Sequence, residues 1–306
     1  MIRIDNLRMS YQSAQERVAA VRGVSLDIRQ GQFYTLLGPS GCGKTTTLRC
    51  VAGLEEPEEG EIVVGEDIVY SSTRKAWVPP FKRNIGMVFQ SYAIWPHMSV
   101  FENVAFPLVN GDAKLREEMR IELRELVKRL NVTTLFVTHE QIEALTMSDT
   151  VAVMKDGNII QAGTPEEIYG QPRSVFVAQF IGRTNLIAGR TKGPAASGGE
   201  ILVETALGDI KSTAADRLQG GEPVMIAVRP EDVEIVEGPG SVEKGNIIEG
   251  QVERLLFVGE CVDCFARVRE QSIQTKRHPS LAPRNGATVH MYLPSTSCLA
   301  LKSDSV

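Results

Sequence analysis

Residues 38–45 read GPSGCGKT, a G-x-x-x-x-G-K-[ST] loop whose flanks decide what it is. Before it stands QFYTLL (32–37), an apolar run of strand length; after it KTTTLRCVAGL (44–54) has a helical pattern. A glycine loop between strand and helix turns successive backbone N–H groups inward as an anion nest, and the helix N-terminus adds a favourable dipole. Lys44 then supplies a point charge for terminal phosphates and Thr45 a hydroxyl for Mg2+. A glycine turn with an incidental lysine would leave this ordered context unexplained.

Outward from the loop, strand-like and helical runs alternate: IGMVF (85–89), then VTTLFV (132–137) followed by EQIEALTM (140–147). Such alternation predicts an α/β fold, a mostly parallel P-loop sheet with helices on both faces. Within 112–130, Leu115, Met119, Leu123, Leu126 and Leu130 recur at steps of three and four, which predicts a helix with one stripe on a core. VMKDGNII (153–160) reads as a hairpin about Asp156-Gly157. TPEEIY (164–169) opens a short helix with Thr164 as cap and Pro165 at its first position, and VFVAQFIG (175–182) reads as another.

After about residue 184 the pattern changes to short strands divided by Gly, Pro and Ser: IAVRPEDVEIV, GQVERLLFV, CVDCFARV and TVHMYLP. This predicts a small all-β, OB-like domain over 184–306, after an α/β domain over 1–183.

With 42% apolar and 23% charged residues among 306, the chain has an ordinary globular composition. A net charge of −5 without a long basic cluster argues against nucleic acid as the main partner. No apolar run reaches the roughly 18–20 residues of a spanning helix, and MIRIDNLRMS lacks a secretion signal, so a cytoplasmic location is expected. Cys261 and Cys264 form a lone CxxC with no second pair to complete a zinc site; in a strand their side chains point to opposite faces.

An Asn-Lys-x-Asp element for guanine is absent. LLGPSGCGKTTTLRCVAGLEEPEEGEI (36–62), NIGMVFQSYAIWPHMSVFENVAFPL (84–108), FVTHEQIEAL (136–145) and VRPED (228–232) instead resemble the ATP-binding subunits of ABC transporters, over nearly the whole chain. The resemblance implies ATP and Mg2+ as ligands. It implies Tyr11 stacked on adenine, and Gly38, Ser40, Gly41, Cys42, Gly43, Lys44, Thr45 and Thr46 around the phosphates. Gln90 would touch Mg2+ and the attacking water, and His139 would contact the terminal phosphate and orient that water. Tyr92–Phe101 would receive a membrane subunit. The implied partners are transmembrane permease subunits, a second copy of this chain and, indirectly, a solute-binding protein, at the inner face of the cell membrane.

One junction departs from that pattern. FPLVNGDAKLREEM (106–119) passes from an apolar stretch through Asn110-Gly111 directly into a charged helix at Asp112. The family places a helical subdomain here, with its LSGGQ signature and an apolar strand ending in Asp-Glu; neither motif is in this sequence. Glu140 follows a suitable strand but directly succeeds the switch histidine, where the family carries an acid anyway, so it is not assigned as base. An internal block near 109–112 is therefore expected to be missing. Phosphoryl transfer depends on positioning and charge placement, so binding can outlast hydrolysis. That leaves a non-hydrolytic ATP-binding regulator as an alternative to a transport ATPase. A small-molecule kinase would share the loop but not account for Gln90, His139 and the β tail together.

Overall fold

Phe33–Leu37 (β3) is buried along its whole length, as a strand covered on both faces must be. It lies inside a four-stranded sheet of the computed structural model, which describes residues 1–12, 17–87, 113–238 and 245–303. β3 runs parallel to β7 (Thr134–Thr138) on one side and to β8 (Thr150–Lys155) on the other. β9 (Asn158–Gly163) folds back antiparallel on β8 through Asp156 and Gly157, at φ 48° and 80°. Two consecutive positive φ angles are the mark of a tight hairpin turn. β7 occupies the other margin of this sheet, with no further strand beside it among the described residues.

A second, antiparallel sheet has the order β2-β1-β4-β5-β6, made of β1 (Ile2–Gln12), β2 (Arg17–Ile28), β4 (Glu59–Val64), β5 (Asp67–Ser71) and β6 (Ala76–Trp77). Alternating strand and helix patterns do not announce it, because β1–β2 and β4–β6 succeed one another with no helix between members. Helix α1 (Lys44–Ala52) joins the two sheets in one core, where Cys50 and Val51 meet Leu7, Val21, Leu36, Ile62 and Met154. It ends at Gly53, φ 76°, whose N–H reaches back to the carbonyls of Arg49 and Cys50.

Helices α2 (Ala113–Arg129) and α3 (Gln141–Met147) complete this unit. The expected core stripe of α2 is corrected by the structure: Met119, Leu123, Leu126 and Leu130 are 60%, 47%, 41% and 62% exposed. The Leu115 side chain lies outside the described residues. Contact with α3 is made instead by the neighbouring basic stripe, as Arg120 meets Glu140 and Glu143, and Arg124 and Lys128 meet Asp149. Periodicity reveals an apolar face without revealing a partner for it, and among the described residues none covers this one.

The chain divides into two compact units, Met1–Glu166 and Glu167–Val306. In the second, β10 (Asn185–Thr191), β11 (Glu200–Thr205), β12 (Gly208–Ala214), β13 (Pro223–Val228) and β19 (Leu299–Lys302) close a five-stranded barrel. A further sheet has the order β14-β18-β15-β16-β17: β14 (Glu234–Val236), β15 (Asn246–Phe257), β16 (Val262–Val268), β17 (Gln271–Arg277) and β18 (Thr288–Leu293). Both share a core that includes Ile187, Ile226, Ile248, Met291 and Cys264. Cys261 is half-buried just ahead of β16, and both are free thiols.

Two short helices lead into the barrel, and Arg229 ties them to it. Helices α4 (Pro165–Gly170) and α5 (Val175–Ile181) precede the barrel. The buried Arg229 guanidinium donates to the carbonyls of Tyr169, Ala178, Gly182 and Arg183 at 2.8–3.1 Å, and lies 4.3 Å from the Tyr169 ring centre. One side chain thereby holds the ends of both helices against the strand it follows.

Candidate nucleotide-binding site

The loop after β3 is shaped by what presses on it. A Cβ on Gly43 (φ 101°) would lie 2.3 Å from the Ala20 carbonyl oxygen, and one on Gly38 2.4 Å from that of Met154. Real side chains cannot make such approaches, so both positions require glycine. Behind the loop, the hairpin turn donates the Gly157 N–H to the Cys42 carbonyl at 3.2 Å. Cys42 is buried inside this turn.

Lys44 opens α1 and is itself 9% exposed. Its Nζ donates to the carbonyls of Gly38 at 2.8 Å and Pro39 at 2.9 Å, so the loop is wrapped around the ammonium. Thr47 donates to the Gly43 carbonyl at 2.9 Å and braces the first turn. The helix has no side-chain N-cap. Its leading N–H groups therefore face outward with a positive dipole end, a ready anion site.

Opposite stands the end of β7. A cavity of about 190 Å³ is lined by Ser40, Gly41, Lys44 and Thr45 on one side and by Val137, Thr138 and His139 on the other. Ligand contacts gather at the carboxyl ends of parallel strands, and β3 and β7 both end here. Thr45 is exposed at this mouth. Tyr11 is brought beside the first turn of α1, its hydroxyl donating to Thr46 Oγ1 at 3.4 Å. Gly38, Cys42 and Gly43 shape the turn from within rather than line the cavity.

Gln90, Tyr92–Phe101 and the junction at 109–112 lie outside the described residues. Sequence reasoning passed over Val137 and Thr138, although their place directly before His139 at a strand's carboxyl end was a usable signal. Among the described residues no group of three metal-ligating side chains occurs, and no helix is long and apolar enough to cross a membrane.

The arrangement can hold a polyphosphate: a cationic loop, a helix start and a facing imidazole around one cavity. Comparison with known proteins agrees with it. An ABC transporter family model matches residues 21–153, and a TOBE domain model residues 226–301. The chain is 34% identical to a spermidine/putrescine import ATP-binding protein of Clostridium novyi, over 90% of this chain and 91% of that one. It is 36% identical to a trehalose/maltose import ATP-binding protein of Thermococcus litoralis, over 83% and 89%. With a spermidine/putrescine import ATP-binding protein of Pseudomonas aeruginosa it shares 34% identity over 377 aligned positions, 99% of this chain and 95% of the relative. This chain thus belongs to the family of ATP-binding subunits of ABC importers, with a C-terminal TOBE domain.

Proposed function

We propose that this chain binds ATP with Mg2+ at its 38–46 loop and, as one of two copies at the cytoplasmic face of a membrane, drives permease subunits that import a solute. The observation carrying this reading is the cavity that sets Ser40, Gly41, Lys44 and Thr45 against His139. In it Lys44 and the α1 N-terminus hold the β- and γ-phosphates, and the Thr45 hydroxyl offers oxygen to a hard cation. Bound Mg2+ would neutralise phosphate charge. Tyr11, near Thr46, packs on the adenine. His139 contacts the terminal phosphate and orients water, and Gln90 reports the nucleotide to the permease. A solute-binding protein delivers the cargo. Relatives named for polyamines and for disaccharides are about equally similar, so the partners rather than this subunit choose the solute.

A second reading, a nucleotide-binding regulator without turnover, is favoured by one observation: among the described residues no strand pairs with the outer margin of β7, where the family's Asp-Glu strand would lie. An alignment of 377 positions against a chain of 306 residues contains positions with no counterpart in this chain, as a missing internal block would leave. Measuring ATP affinity and phosphate release on the same sample decides. Saturable Mg-ATP binding supports both readings, and its absence overturns both. Phosphate release stimulated by permease partners selects the transport ATPase; binding with no release, even with partners, selects the regulator.

A further inference from the structure

His139 lies in the short turn between β7, which ends at Thr138, and α3, which begins at Gln141. Among the described residues its imidazole makes no hydrogen bond, so its direction is set by its backbone. The two residues flanking it are both tied down. Buried Thr138 donates its hydroxyl to Glu143 Oε2 at 2.6 Å, and accepts from the Glu140 N–H at 3.0 Å. Glu140 caps α3 only through its backbone; its carboxylate leaves the helix end for Arg120 Nη2 at 3.0 Å. The same Nη2 stands 3.6 Å from Glu143 Oε1. Arg120 therefore holds Glu140 directly and Thr138 through Glu143. Its side chain is 19% exposed, and those of Glu143 and Glu140 25% and 49%, so the network is screened from solvent at its centre.

We propose that Arg120 is a positioning residue for His139: by gripping both carboxylates across the turn, it keeps the imidazole directed at the phosphate loop. This rests on the nucleotide-binding reading above. Both contacts come from one Nη2, whose N–H groups are held in the guanidinium plane, whereas an ammonium is a more strongly hydrated point charge with rotatable donors, so Arg and Lys are not equivalent here. The neighbouring basic residues do other work. Arg124 donates to the Thr146 carbonyl at 2.5 Å near the far end of α3, and Lys128 meets Asp149 at 3.6 Å.

The test is the imidazole spectrum of 15N-histidine-labelled full-length chain with and without Mg-ATP, with the His139 signal assigned through His139→Gln. In the wild type that signal moves on saturation while those of His278 and His290 stay. In Arg120→Ala the movement is expected to fall about fivefold, with Arg120→Lys between the two. Glu143→Gln, which keeps an acceptor for Thr138 but gives up the charge, is expected to reduce it as well, and covers the case in which Arg120→Ala does not fold. A wild-type signal unmoved by Mg-ATP overturns the nucleotide reading and this inference with it. Movement undiminished in Arg120→Ala, or in Glu143→Gln if the first does not fold, overturns the role of Arg120 alone.

Discussion

Arg83 Nη1 stands 2.8 Å from the Cys50 carbonyl oxygen, and so a buried guanidinium caps the C-terminal end of the helix that begins with Lys44. The same nitrogen reaches the Val51 carbonyl at 2.9 Å, and Nε donates to Val78 at 2.7 Å. A cation there complements the negative end of the helix dipole and satisfies carbonyls the helix cannot. Gly53 makes room for it: a Cβ would lie 2.5 Å from Arg83 Nε.

Arg83→Met is accordingly expected to destabilise the first unit by about 3–5 kcal/mol, since three carbonyls lose their donor. Gly53→Ala should act in the same direction, by steric conflict and by strain at φ 76°. Urea denaturation followed by circular dichroism reads both; a loss under about 0.5 kcal/mol, as for an ordinary surface change, would contradict the capping role.

Lys44→Ala removes the ammonium that the Gly38 and Pro39 carbonyls surround. Nucleotide affinity is expected to fall at least about tenfold in a fluorescent-nucleotide titration. The variant should also be less stable by about 1–3 kcal/mol, because those carbonyls are left without a donor in the turn. A fully stable variant with lost affinity would show that the ammonium does not organise the loop.

The apolar stripe of α2 gives a prediction opposite to the one its periodicity invites. Met119→Lys with Leu126→Lys should change stability by less than about 0.5 kcal/mol. Buried in a core, each position would cost about 2–5 kcal/mol even on truncation. Thermal or urea unfolding of the double variant distinguishes the two cases.

Alkaline pH should weaken the fold through groups that burial keeps protonated. Burial pushes the Cys50 and Cys298 thiols from 9.0 up to about 12 and Cys264 to about 11. It raises the Tyr34 and Tyr169 phenols from 10.0 to about 12, with the Glu231 hydrogen bond adding to the shift at Tyr169. Above about 9 the unfolded chain releases these protons while the folded chain retains them, so stability falls as pH rises. It should be complete below about 9 and decline progressively toward about 12 in a urea series over that range. At pH 8 a thiol reagent should leave Cys50, Cys264 and Cys298 unmodified until the chain unfolds.

Arg229→Met is expected to loosen α4 and α5 from the barrel, because four carbonyls lose one shared donor. Hydrogen exchange should rise at residues 175–183 by at least about tenfold, the factor for ~1.4 kcal/mol.

What was legible in the sequence was what lies contiguous in it. GPSGCGKT carries its own chemistry, and its neighbours β3 and α1 follow from one apolar run on each side. Likewise the Asp156-Gly157 hairpin needs only local φ angles. The second sheet was less visible, since its strand order depends on pairing across the chain, with Ile2 opposite both Ile28 and Val64. The bracing of His139 was not legible at all: Arg120 and Glu140 are twenty positions apart, and either alone is an ordinary surface charge. VRPED was noticeable as a motif, yet Arg229 acts on carbonyls 46–60 residues away that no side-chain pattern marks.

The barrel also imposes an order of events on synthesis. Strand β19 sits between β12 and β13, parallel to the first and antiparallel to the second, although it follows β13 by about seventy residues of chain. While residues 299–302 are still inside the ribosome, β10–β13 lack the stave that closes their ring. The second unit must therefore wait for that strand to emerge, whereas the strands described for the phosphate-loop unit all precede residue 167 and can pair earlier in synthesis.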